Sequence, residues 1–386
     1  MLQTDKKIKI IFLVGFLFAF HLAITAYINS SFLSTFLAEK KIGLIYALAS
    51  ASAIFALLLV PKILKKLGGY KFLLIISILN LLSLFSLSVT NNTLGIIVLF
   101  IFYFTLNNLI IFILDELLQI FSKGSIVGRI RGLYLTIINS AWVFAQIFSG
   151  KVLSGLSFSF FYLMASGVMF LFLLIVLISF KNTPDPNYDK LPIFKSIRKF
   201  FKNKTLARSY RINFLLQFFY SWMVIYTPLY LFTHLGFTWK EISIIFTIML
   251  LPFVLIQFPL GQHSDKVGER KIMMIGFFII SLTTMSLFFI TKHSVWIWAL
   301  ALFGTRLGAA SVEVMSDAYF FKHINKENDE FIGVYRNTGP MAYILAPLLA
   351  SGLFFIIPDL NFIFLILGAL MLSGVYTAST IQKDDI

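Results

Sequence analysis

The sequence predicts an all-α integral membrane protein: twelve transmembrane helices in two pseudo-symmetric six-helix bundles, with both termini cytoplasmic. Three observations carry this reading. Of the 386 residues, 59% are hydrophobic and only 13% are charged, which is not the balance of a soluble enzyme. Uncharged runs of about 20 residues, enough for a helix to cross roughly 30 Å of hydrocarbon, recur along the whole chain. The cations fall between those runs and concentrate in alternate gaps. Open strands are excluded as spans, because their backbone cannot be satisfied in lipid.

The first run, 8–28, starts among Lys6, Lys7 and Lys9; it is as long as its successors and lacks a small-residue cleavage site, so it reads as a span rather than a leader. Spans over 42–60 and 72–89 are bounded by Lys40-Lys41-Ile42-Gly43 and Gly68-Gly69, and Asn91-Asn92 introduces the fourth, 94–118. Spans 132–150 and 158–180, parted by Ser154-Gly155, complete a first bundle over 1–182. A basic linker, 183–208, starts at Pro184-Asp185-Pro186. The second bundle, 209–386, contains spans over 210–233, 242–260, 272–290, 295–320, 335–357 and 360–380, the last two divided by Ile357-Pro358-Asp359. The short loops leave no room for a separate soluble domain.

The net charge of +15 comes from 32 Lys+Arg against 17 Asp+Glu. With a cytoplasmic amino terminus, 26 of these cations fall inside, and five (Lys40, Lys41, Lys151, Lys240, Lys292) fall outside. Cationic loops resist translocation, so this asymmetry orients a multi-pass protein in the cytoplasmic (inner) membrane. A nucleic-acid partner would require these residues on one water-facing patch, which the topology does not provide. One cation, Arg306, is left inside a span.

The absence of cysteine excludes disulfides and thiolate chemistry. Five histidines occur without a metal-ligand pair, and the acids sit at span edges rather than in a catalytic cluster, so neither an enzyme, a metal nor a cofactor is expected. No phosphate-cradling Gly-rich loop supports ATP-driven transport.

Within the linker, Ile193, Phe194, Ile197, Phe200 and Phe201 recur at helical spacing with cations between them. Two readings stay open: a helix lying on an anionic leaflet, with membrane lipid as its partner, or a linker that merely obeys the inside rule.

The halves repeat. Lys66 and Lys266, Gly68 and Gly268, and Lys71 and Lys271 coincide at an offset of 200; Gly132 and Tyr134 match Gly333 and Tyr335 at 201, and Asp115 matches Asp317 at 202. Gly261-x-x-x-Asp265-Lys266-x-Gly268-x-Arg270-Lys271 resembles the loop signature of the major facilitator superfamily, and Arg131-Gly132 resembles its basic turn into the fifth helix. In the first half Pro61 and Lys65 replace the leading Gly and the Asp. The resemblance covers essentially the whole chain and implies two bundles rocking about a midplane substrate site. It casts Asp265, Lys266, Gly268 and Arg270 as part of a cytoplasmic gate, with Arg129 and Arg131 as candidate partners of Asp265.

Charged residues inside spans are costly and point to function. Counted from Val295, Arg306 lies about 16 Å into its span, Glu313 about 27 Å and Asp317 about 33 Å, all within roughly 20° of one face. Arg306 is the candidate for an anionic group of the substrate, or pairs with Glu313. Glu313 and His21, the latter about 20 Å deep, are the proton-coupling candidates. Asp115 and Glu116 lie about 31 Å into span 4 and are expected to pair with Arg129, Arg131 or Arg336; Asp317 belongs to the same gate. Gln217, Tyr220 and Tyr226, beside the Thr227-Pro228 break, and Asn107 and Asn108 are further substrate-contact candidates. Pro252, Pro259, Pro340 and Pro347 read as kinks.

The expected function is secondary active transport of a small organic solute, with protons as candidate coupling ion, by a monomer. Export of a drug or metabolite is an alternative, less favoured because span 5 lacks the Gly-Pro signature of proton-driven exporters in the resembled family. A membrane sensor that binds without transporting is the other.

Overall fold

A computed structural model describes residues 2–37, 39–121, 127–152, 157–181, 193–261, 268–324, 330–353 and 359–381. Among them every regular element is helical. In chain order these are α1 (Leu2–Ala26), α2 (Asn29–Ser34), α3 (Glu39–Leu67), α4 (Gly69–Val89), α5 (Thr93–Phe121), α6 (Val127–Val152), α7 (Phe158–Ser179), α8 (Ile193–Lys202), α9 (Lys204–Leu229), α10 (Trp239–Leu255), α11 (Glu269–Leu287), α12 (Val295–Lys322), α13 (Glu330–Arg336), α14 (Thr338–Leu353) and α15 (Phe362–Ser379). Ten helical stretches among the described residues are long and apolar enough to cross a membrane. The two other expected spans correspond to α6, which carries Arg131, Asn139 and Gln146 along its length, and α14, described over 16 residues.

Local chemistry sets the boundaries. Asn203 caps α9 by accepting from the N–H groups of Thr205 and Leu206, and Thr238 and Glu241 form a reciprocal capping box on α10. Gly68 and Gly268, the repeat pair, stand immediately before α4 and α11 at φ 75° and 80°. Side chains with a Cβ resist that conformation. Gly68→Ala or Gly268→Ala should each lower stability by about 1–2 kcal/mol, read as a lower thermal midpoint in detergent.

Proline explains the breaks. Pro228 ends regular α-helix in α9, which continues as a π-helical turn, Tyr230–His234. Pro340 has no N–H for the carbonyl four residues earlier, that of Arg336, and span 11 divides there into α13 and α14. Arg336 thereby sits at a joint rather than within a continuous helix.

Helix α1 packs on α5, α6 and α7, α4 on α5 and α7, and α3 on α5. In the second half, α12 packs on α9, α10 and α11, and α15 on α9 and α11. Gly308 lets α12 approach α11, since a Cβ there would strike the Gly276 carbonyl and the Ile280 side chain. The halves meet mainly along α6 with α10, α3 with α14, and α6 with α12. Large apolar side chains such as Phe55, Leu94 and Ile178 remain exposed, as a lipid-facing surface requires.

Candidate functional site

A cavity of about 360 Å³ opens between the halves, within the range of small-molecule sites. Helix α12 gives it a direction: Val295 lies at its upper end and Lys322 at its lower end. The upper wall is aromatic. Tyr27 packs on Phe246 and Trp142 at 4.9 and 5.9 Å between ring centroids, and Tyr343 on Phe104 and Tyr46 at 5.7 and 6.0 Å.

Arg306 lies on the wall of this cavity and is 2% exposed. Its guanidinium lies 5.0 Å from the Phe219 ring centre and 5.8 Å from that of Tyr220, with Tyr27 also adjacent. It forms no ion pair among the described residues, and one terminal nitrogen, Nη1, is buried without a hydrogen-bond partner. The anticipated Arg306–Glu313 pair does not form. Glu313 instead accepts from Gln257 Nε2 at 2.5 Å and Asn139 Nδ2 at 3.4 Å, while Asn139 also donates to Gln257 Oε1 at 2.9 Å. This network ties α12 to α6 and to the helical stretch that continues the α10 span past Leu255. Side-chain lean contributes to the outcome: helical side chains tilt toward the amino terminus, so Arg306 leans away from Glu313.

Below Glu313 the cavity ends on four interlocked charges. Arg336 donates from Nε and Nη2 to Asp115 at 2.5 and 3.1 Å, and from Nη2 and Nη1 to Asp317 at 3.1 and 3.4 Å. Arg131 donates from Nη1 to Asp115 Oδ1 at 2.7 Å, the oxygen that also accepts from Arg336 Nη2, and stacks 3.5 Å from the Phe321 ring centre. Tyr335 donates to Asp317 at 3.2 Å. Two carboxylates thus meet two guanidiniums, with Arg336 carrying the link between α13 of one half and α5 of the other.

The remaining candidates divide. Gln217, Tyr220, Asn107 and Asn108 line the cavity. Asn107 accepts from Asn80 at 2.8 Å, and Asn108 donates to the Phe104 carbonyl at 2.9 Å. Tyr226 is not on the wall; it is buried against Trp222, with ring centres 6.2 Å apart. One helical turn beyond Trp222, its ring faces the core. His21 is also behind the wall, fully buried, with Nδ1 donating to the Phe18 carbonyl and its ring edge-on to Tyr103. Glu116 is buried and does not line the cavity. Asp265, Lys266 and the side chain of Arg129 lie outside the described residues. Gly268 starts α11, and Arg270 follows within it, away from the cavity lining.

Sequence reasoning missed Gln257, Asn139 as its partner, and Glu269, which is buried and accepts from Lys322 at 2.7 Å. The signals were present: an amide in each of two apolar spans, and an acid beside the signature glycine.

Two helical halves enclosing a polar-floored, aromatic-walled cavity, with a charge cluster across one end, define a membrane transporter by class. Residues 212–381 match the family model described as Major Facilitator Superfamily. The fold is similar to the crystal structure of the human organic anion transporter MFSD10 (TETRAN), with a TM-score of 0.76 and 13% identity over 97% of this chain and 99% of that one. A comparison with curated protein sequences found no match. The second half of the chain thus matches the major facilitator superfamily, and the whole chain is a multi-pass membrane protein with the fold of a solved transporter.

Proposed function

We propose that the protein is a secondary active transporter of small organic anions, working by alternating access in the cytoplasmic membrane. The observation that carries the reading is Arg306: a buried guanidinium on the cavity wall, stacked on aromatic rings, with no carboxylate partner among the described residues. A buried charge without a counter-ion is costly, and an acidic group of the cargo supplies the missing partner while the aromatic wall takes its apolar body. The similar structure, that of an organic anion transporter, supports this choice of cargo.

In this reading two six-helix bundles, 1–182 and 209–386, joined by the linker 183–208, make twelve crossings with both termini inside. They rock on the α6–α10 and α3–α14 seams. The Asp115, Arg131, Asp317 and Arg336 cluster is the cytoplasmic gate. The protein works as a monomer, and protons are the coupling ion. Glu313 takes up the proton where Gln257 and Asn139 join the halves. Protonation changes which of the three groups donates, and so changes the joint.

Reconstitution with labelled organic acids tests the transport claim; saturable binding without counterflow would overturn it. Glu313→Gln should abolish gradient-driven accumulation while sparing exchange. Accumulation equal to that of the unaltered protein would remove Glu313 from coupling.

A further inference from the structure

We infer that the basic face of α8 is a binding site for anionic phospholipid headgroups, and that lipid held there braces the closed lower end of the cavity. Helix α8, Ile-Phe-Lys-Ser-Ile-Arg-Lys-Phe-Phe-Lys, contains four cations and no acid. At about 100° per residue, Lys195, Arg198, Lys199 and Lys202 occupy an arc roughly 100° wide, opposite Phe200. All four are exposed, whereas Phe200 is fully buried.

Connectivity fixes where this face lies. Only Asn203 separates α8 from α9, and α9 begins a candidate membrane crossing at Lys204. The cations are therefore held at the mouth of the bilayer, within reach of headgroups and within the screening length of an anionic surface. Lys204 and Arg211, also exposed, extend the patch along the first turns of α9. Phe201, 46% exposed beside this arc, offers an apolar side chain to the acyl boundary.

The buried face connects the patch to the gate. Phe200 meets Phe331 and Phe320 at 5.5 and 6.3 Å. Phe320 stacks flat on Tyr335 at 3.9 Å, and Tyr335 donates to Asp317 one residue before the Arg336 bridge. Headgroups that hold α8 down therefore hold this aromatic stack, and with it the charge cluster, in its closed arrangement.

The test uses the full chain in detergent, titrated with phosphatidylglycerol or phosphatidylcholine and followed by native mass spectrometry. Phosphatidylglycerol should be retained preferentially, and the preference should weaken with salt. It should fall roughly tenfold or more when Lys195, Arg198, Lys199 and Lys202 are all changed to Gln. Changing the three lysines to Arg should keep the preference, which separates charge from folding. Equal retention of the two lipids by the unaltered protein, or undiminished preference in the Gln variant, overturns the site. For the brace, Ile138→Cys should be labelled from the lower side more slowly in phosphatidylglycerol nanodiscs than in phosphatidylcholine, and the difference should vanish on Phe200→Ala. Lipid-independent labelling overturns it. Neither readout requires solute movement, so this inference and the transport reading fail separately.

Discussion

Replacing Arg336 with alanine should open the lower end of the cavity and remove about 3–5 kcal/mol from the closed arrangement. The size follows from what is left behind. Asp115 and Asp317 both lie on the cavity floor and are buried, and Arg336 is the group that bonds to both. Without it, Asp115 keeps Arg131, while among the described residues Asp317 keeps the Tyr335 hydroxyl but no cation. Adding Asp317→Asn to Arg336→Ala should restore part of the loss, because it removes the orphaned carboxylate. The chain contains no cysteine, so Ile138→Cys on the cavity wall gives a single label site. Maleimide labelling from the lower side should accelerate in Arg336→Ala and slow again in the double variant. A rate unchanged by Arg336→Ala would show that this cluster does not close the cavity.

Arg306→Ala should weaken binding of an organic acid by about 2–5 kcal/mol, or on the order of 30-fold to several thousand-fold in Kd, and barely change a neutral analogue of the same shape. Arg306→Lys should fall between, since a lysine keeps the charge but loses the flat guanidinium that lies over Phe219 and Tyr220. Ligand-induced thermal stabilisation of the purified protein measures all three. An equal loss for acid and neutral analogue would return Arg306 to a structural role.

Much of this site was visible along the chain. Arg306, Glu313 and Asp317 recur on one helical face, and all three line the cavity. The offset of 200 joined Gly68 to Gly268, and both adopt the same left-handed backbone ahead of a helix. Asp115 and Arg336 stood at the edge of their spans, where a gate pair was expected. Less was visible where helix rotation decides. Tyr226 and Tyr220 lie on the same helix, yet Tyr220 lines the cavity and Tyr226 faces Trp222. Depth alone placed His21 near the centre, but its ring turns into the wall, against Phe18 and Tyr103.

The sequence by itself determined the membrane-spanning helical character and the positions of ten of the spans, because span length and apolarity are local quantities. Only the tertiary structure decided the partners. Glu313 meets Gln257 across 56 residues and Asn139 across 174, and Asp115 meets Arg336 across 221. A helical wheel shows which face a charge is on. Which helix lies opposite, and so which charge meets an acid and which one does not, is set by how the helices pack.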